Sequence, residues 1–227
     1  KDFLIKMKNT LNHRGPDSSG IWNNKNVGLT HNRLSILDVS KTGSQPMHSN
    51  RYVICFNGEI YNHLELRKKL QTEKNFNDFN GTSDTETILN CFEFFGVRSS
   101  LQYMEGMFAL VLYDKLKNEL ILARDRFGEK PLYYGINNKN FYFSSELKAL
   151  KAHPEFFPEI NHDALSQFFK YSYIEAPQSI FKGIKKIMPG SFIKLSLNSD
   201  FKEIIEKKYW NIDTQVLNSI SNPFKGS

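Results

Sequence analysis

The chain is poor in cysteine. Its 227 residues hold two, Cys55 and Cys91, far apart and without a CxxC pair, so neither a zinc site nor a redox dithiol has support. Disulfide frameworks staple small secreted domains; a chain of this length needs none, and a reducing, cytoplasmic setting is expected. Long apolar runs are also lacking. The longest core-like run is Met107 to Tyr113, far short of the roughly 20 apolar residues of a membrane helix, so no membrane span is expected. No secretory signal opens the chain, and an initiator Met is missing as well. Acidic residues are in the minority, giving a net charge of +6 and a pI near 9.1. The basic residues are scattered, as in Arg67-Lys68-Lys69 and Lys185-Lys186. That spread favours a solvated lysine-rich surface over a nucleic-acid patch. His13, His31, His48 and His63 make no ligand spacing, so no metal site is expected.

What is present is a core. Hydrophobic residues make up 40% of the chain and phenylalanine occurs 19 times, which excludes wholesale disorder. Phe3, Leu4, Met7 and Leu11 recur at helical spacing, predicting a short helix over 2–12. Val27–Leu34 and Tyr52–Phe56 read as strands, the second apolar on both faces and therefore covered on both. Asn62 with Glu65 and Ser83 with Glu86 have capping-box spacing and predict two helix starts. Met107–Tyr113 and Glu119–Ala123 predict a hairpin about Lys115–Asn118. Further strands are expected at 132–136, 140–143 and 190–197, with helices at 145–151 and 162–171. Grouped antiparallel-looking strands and grouped helices favour an α+β layered fold over a parallel α/β sheet. The polar tail from 197 to 227 reads as linker.

Four clusters could carry chemistry. In Arg33-Leu34-Ser35-Ile36-Leu37-Asp38, an arginine at a strand end could clamp a carboxylate with two parallel hydrogen bonds; a surface salt bridge explains it as well. In Phe56-Asn57-Gly58-Glu59-Ile60-Tyr61-Asn62, Asn-Gly marks a tight turn, or else the Asn57 amide and the Gly58 N–H form a two-donor oxyanion hole. In Gly81-Thr82-Ser83-Asp84-Thr85-Glu86, Asp84 sits where a helix dipole favours a carboxylate, and it could equally meet a substrate ammonium. Ala123-Arg124-Asp125-Arg126-Phe127-Gly128-Glu129-Lys130 reads as a charged turn. Cys55, within Val53-Ile54-Cys55-Phe56, reads as a small buried hydrophobe rather than a nucleophile.

Taken in order, these clusters, with His13-Arg14-Gly15-Pro16-Asp17 before them, resemble the glutaminase domain of the glutamine-dependent asparagine synthetases. Those are class II (N-terminal nucleophile) glutamine amidotransferases. Phe143-Ser144-Ser145-Glu146 and Ile180-Phe181-Lys182-Gly183-Ile184 extend the resemblance to about residue 195, and Tyr209-Trp210 resembles the entry to the synthetase half. The resemblance implies a four-layer αββα sandwich of two antiparallel sheets, with the glutaminase domain over 1–196 and, over 197–227, a linker and the start of a synthetase domain. It implies that Asn57 and Gly58 hold the oxyanion, that Arg33 clamps the glutamine α-carboxylate, and that Glu59 and Asp84 receive the α-ammonium. Leu34, Ile36 and Leu37 would shape the pocket.

The same resemblance implies a nucleophilic cysteine at the start of the domain, its α-amine, of pKa near ~8, serving as general base. No cysteine lies among residues 1–12, so the first strand and the nucleophile are expected to be missing and this chain alone to be inactive. No Ser-Gly-Gly-x-Asp-Ser loop occurs either. ATP and Mg²⁺ are therefore expected to act in an absent synthetase half, on aspartate or a related acceptor. No cofactor is expected here, and a homodimer is left open. The competing reading is a non-catalytic glutaminase-like module that binds an amino acid or a partner.

Overall fold

The computed structural model describes residues 2–198 and 204–223. It opens with helix α1 (Asp2–Asn9), then hairpin β1 (Ser18–Asn23) and β2 (Gly28–Arg33), short β3 (Met47–His48) and long β4 (Tyr52–Ile60). Three helices follow, α2 (His63–Lys74), α3 (Asp84–Phe95) and α4 (Val97–Tyr103), and after them the hairpin β5 (Gly106–Asp114) and β6 (Glu119–Arg124). The last part contains β7 (Tyr133–Asn137), β8 (Asn140–Ser144), α5 (Leu147–Lys151), α6 (His162–Tyr171), β9 (Ile184–Lys186), β10 (Ser191–Ser196), β11 (Ile205–Lys208) and α7 (Ile212–Ser221).

The strands form an antiparallel six-stranded sheet, ordered β11-β10-β6-β5-β4-β3, with a three-stranded sheet β8-β7-β9 and the β1-β2 pair. Period-two alternation along the central strands decides the layering. Tyr52, Ile54, Phe56, Leu110, Leu112 and Ile121 face Leu66, Leu70, Ile88 and Phe92 of α2 and α3. Val53, Val111, Leu122 and Ile193 face the other way, onto Leu29, Leu132 and Tyr134 of the second strand layer. Beyond that layer, Leu150 of α5, Phe156 and Phe181 cover Tyr142 and Ile184, with Met7 of α1 against them. Helices, sheet, sheets and helices follow one another, which is the αββα sandwich. Among the described residues no helix is long and apolar enough to cross a membrane.

Several expectations shift in detail. The capping box at Ser83 forms, its Oγ accepting from the Glu86 N–H at 3.2 Å. The one at Asn62 does not: the Asn62 side chain donates to the Tyr103 carbonyl and accepts from the Glu105 N–H instead. Its amide is more useful tying α2 to the chain entering β5 than closing its own first turn. The tail read as linker also builds structure. β11 extends the central sheet against β10, and Tyr209 is buried in the helix-side core, its hydroxyl donating to the Arg124 carbonyl at 2.9 Å. Lys1 and residues 224–227 lie outside the described residues.

Candidate functional site: a cleft at the end of β4

The alternation that buries Val53 and Cys55 between the sheets carries Asn57 and Glu59 to the same side. The backbone alternates too. Phe56 turns its N–H and C=O away from β5, toward the side chain of Gln45, which accepts from the N–H at 2.6 Å and donates to the carbonyl at 3.1 Å. Gln45 stands where the β3–β4 register, Met47 opposite Ile54, would place a backbone partner, so its amide continues the ladder. Ile60 turns the same way and donates to an Asp84 carboxylate oxygen at 3.0 Å. Gly58, midway between them, therefore presents its N–H at that same edge. A side chain at Gly58 would run into the Met107 carbonyl, and its φ of +151° favours glycine.

Beside that N–H, the Asn57 side-chain nitrogen is buried without a hydrogen-bond partner among the described residues. A buried amide donor left open costs about 1–3 kcal/mol and marks a place where an acceptor belongs. The residue lines a cavity of about 790 Å³. The cavity runs between β2, at Thr30 and His31, and β8, at Phe141 to Ser144, with Cys55 in its wall.

Glu59 and Asp84 form the acidic side. Burial first, then the charge of Asp84, pushes the Glu59 carboxyl up to about 7, partly offset by Lys130. Burial also raises Asp84, against the N–H groups of Ile60 and Thr85 that favour its ionised form. Each carboxyl is held above its ordinary range, and an opposite charge placed beside the pair would favour their ionised forms.

Arg33, 8% exposed, ends β2 on the opposite side. Its guanidinium donates to the carbonyls of Asp38 and, at 2.9 Å, of Ser40. A side chain at Gly43 would run into that guanidinium. Two of its five N–H groups are thus spent on the loop. The His13-Arg14-Gly15-Pro16-Asp17 turn braces this loop: Asp17 accepts from the Ser35 N–H at 2.7 Å. Leu34, Ile36 and Leu37 have exposed side chains.

The charged turn is not a solvated network. Asp125 is fully buried and accepts from the N–H groups of Phe108, Phe127, Glu129 and Lys130. Arg124 donates to the carbonyls of Gly128, Lys130 and Ile187. Together they fix the turn that carries Lys130 near Glu59. Cys55 remains structural: it lies 3.8 Å from the Thr30 carbonyl, and burial raises its thiol to about 12. The sequence reading missed Gln45 and His31. His31 donates from Nε2 to the Phe56 carbonyl at 3.0 Å, and burial lowers its pKa to about 4, so it stays neutral. Its Nδ1 is buried without a partner among the described residues and borders the same cavity. Neither residue sits in a charged motif: the register of β3 on β4 brings Gln45 to Phe56, and the packing of β2 against β4 brings His31 there.

Comparison with known proteins gives the family. A family model described as a glutamine amidotransferase domain matches residues 1–210. Asparagine synthetase [glutamine-hydrolyzing] 3 of Bacillus subtilis is 36% identical over 220 residues, covering 95% of this chain and 34% of that protein. A putative asparagine synthetase [glutamine-hydrolyzing] 2 of Methanocaldococcus jannaschii is 36% identical over 234 residues, covering 93% of this chain and 44% of its own length. Amidase chyE of Penicillium rubens is 34% identical over 217 residues, covering 93% and 30%. The chain thus spans about a third to under half of these relatives. Among solved structures, the glutamine phosphoribosylpyrophosphate amidotransferase of B. subtilis superposes with a TM-score of 0.65 at 15% identity, over 92% of this chain and 46% of that one. That likeness supports the fold alone.

Proposed function

The chain belongs to the glutamine amidotransferase domain family, and from that premise we propose that the cleft at the end of β4 hydrolyses glutamine and releases ammonia. The observation that carries this reading is the buried, unpartnered Asn57 amide, next along β4 to the Gly58 N–H and two residues from Glu59, which pairs with Asp84. In the proposed reaction a cysteine thiolate attacks the side-chain amide carbon. The oxyanion then accepts from Asn57 and Gly58, electrostatic stabilisation prearranged where charge develops. Collapse expels ammonia and leaves a thioester, which water cleaves to glutamate. Arg33 holds the α-carboxylate, and Glu59 and Asp84 hold the α-ammonium.

Cys55 does not suit the attacking role, because a thiol held near 12 is scarcely ionised at neutral pH. The reading therefore assigns the nucleophile to a cysteine outside these residues, seated in the cavity between β2 and β8. Ammonia would amidate aspartate or a related carboxylate in another part of the parent protein, with ATP and Mg²⁺ acting there. Among the described residues no group of three or more His, Cys, Asp or Glu side chains could hold a metal ion. The test is glutamate production from glutamine by the full-length gene product, wild type against Asn57→Ala. Losing one oxyanion donor lowers kcat about 100- to 1000-fold with little change in KM. A wild type that binds glutamine without turnover would instead favour the non-catalytic module.

A further inference from the structure

We propose that Asp38 is a positioning residue, the joint that holds the carboxylate clamp Arg33 and the ammonium receptor Asp84 in one register. The inference rests on the glutaminase reading, since only a ligand with both charged groups needs the two sides held at a fixed separation.

Asp38 is 6% exposed, and its carboxylate takes four hydrogen bonds. One oxygen accepts from the Ser40 N–H at 2.9 Å and the Ser40 hydroxyl at 2.6 Å. The other accepts from the Thr42 hydroxyl and the Thr82 N–H, both at 2.9 Å. These bonds, that of the Ser40 hydroxyl foremost, hold the carboxyl well below the usual carboxylate range, so it stays ionised. The first three close the loop 38–42. Two carbonyls of that loop, those of Asp38 and Ser40, orient the Arg33 guanidinium. The fourth crosses to the segment that leads into α3, two residues ahead of Asp84. The crossing is tight, because a side chain at Gly81 would strike the Thr42 hydroxyl and the second Asp38 oxygen. On the far side Arg67 anchors the same segment, donating to the carbonyls of Gly81 and Ser83 at 2.9 and 3.0 Å. The separation between Arg33 and Asp84 is thus set by a buried, fully used carboxylate rather than by the flexibility of two exposed loops.

Asp38→Asn tests the assignment in the full-length protein. The amide keeps the shape but turns one acceptor position, where two donors arrive, into a donor. The expected result is a glutamine KM raised about 10-fold with kcat within about 2-fold, because the loss falls on ligand binding and not on the reacting atoms. Combined with Arg33→Ala, the effect should be smaller than the product of the single effects, as for residues acting through one network. Thr42→Val removes a single donor and keeps the test alive if Asp38→Asn fails to fold; a KM rise of about 3-fold is expected. A KM unchanged in both variants, or a loss confined to kcat, overturns the coupling while leaving the glutaminase reading intact. A wild type that does not hydrolyse glutamine overturns both.

Discussion

At the scale of single residues, the cleft makes chemical sense through the state of its carboxyls. Glu59 is pushed up to about 7 because burial and the neighbouring Asp84 charge both disfavour its ionised form. Binding a cation requires that ionised form, so affinity should follow its titration. The sign is fixed: the carboxyl is mostly protonated below the raised value and ionised above it, so glutamine KM should fall as pH rises from 6 to 8. For one group titrating near 7, the ionised fraction changes about 10-fold across that range, which bounds the effect. Steady-state kinetics across this range measure it, with Glu59→Gln as control. The Glu59→Gln variant lacks this titration and should show a high KM that varies less with pH than the wild type's. A wild-type KM equally flat would remove Glu59 from ammonium recognition.

At the scale of elements, the turn after β6 shows why some of the site was legible and some was not. Helices α3 and α6, the β5–β6 hairpin and β4 announce themselves through local signals: caps, an apolar period, a continuous buried run. Arg33, Asn57, Gly58, Glu59 and Asp84 stand in compact motifs; the fold sets Glu59 beside Asp84 and Asn57 in the cavity wall, while Arg33 is tied to the α3 side through Asp38. Gln45 and His31 carry no such signal, because what they do depends on long-range pairing: the register of β3 on β4 for Gln45 and the packing of β2 against β4 for His31. Likewise β11 is a polar segment whose only reason to be a strand is the free edge of β10. Asp125 reads as one charge among many in sequence, yet it is fully buried and anchors four N–H groups. Asp125→Ala would leave those donors open at the end of β5 and in the turn. The expected cost is about 3 kcal/mol, or a melting temperature about 10 °C lower for a domain of this size. Calorimetry on the 227-residue chain reads it directly; a shift of about 2 °C or less would mean that water replaces the carboxylate at little cost.

At the scale of the whole molecule, the arrangement separates two tasks. Under the proposed function, the residues at the end of β4 recognise and stabilise glutamine, and the acceptor carboxylate is activated elsewhere. A protein that spans its relatives' length would then run two chemistries in two places joined only by ammonia. Arg33→Ala distinguishes that arrangement from a shared site. The clamp on the α-carboxylate serves glutamine alone, so the variant should raise glutamine KM about 100-fold, the order expected for losing a bidentate charge-assisted pair of about 3 kcal/mol. Synthesis supplied with free ammonia bypasses the cleft and should continue at the wild-type rate. Both are read in one full-length preparation, with glutamate and amidated product measured side by side. Equal loss of the two activities would make Arg33 a structural support: the carbonyls of Asp38 and Ser40 that it grips would then matter more than the ligand it faces.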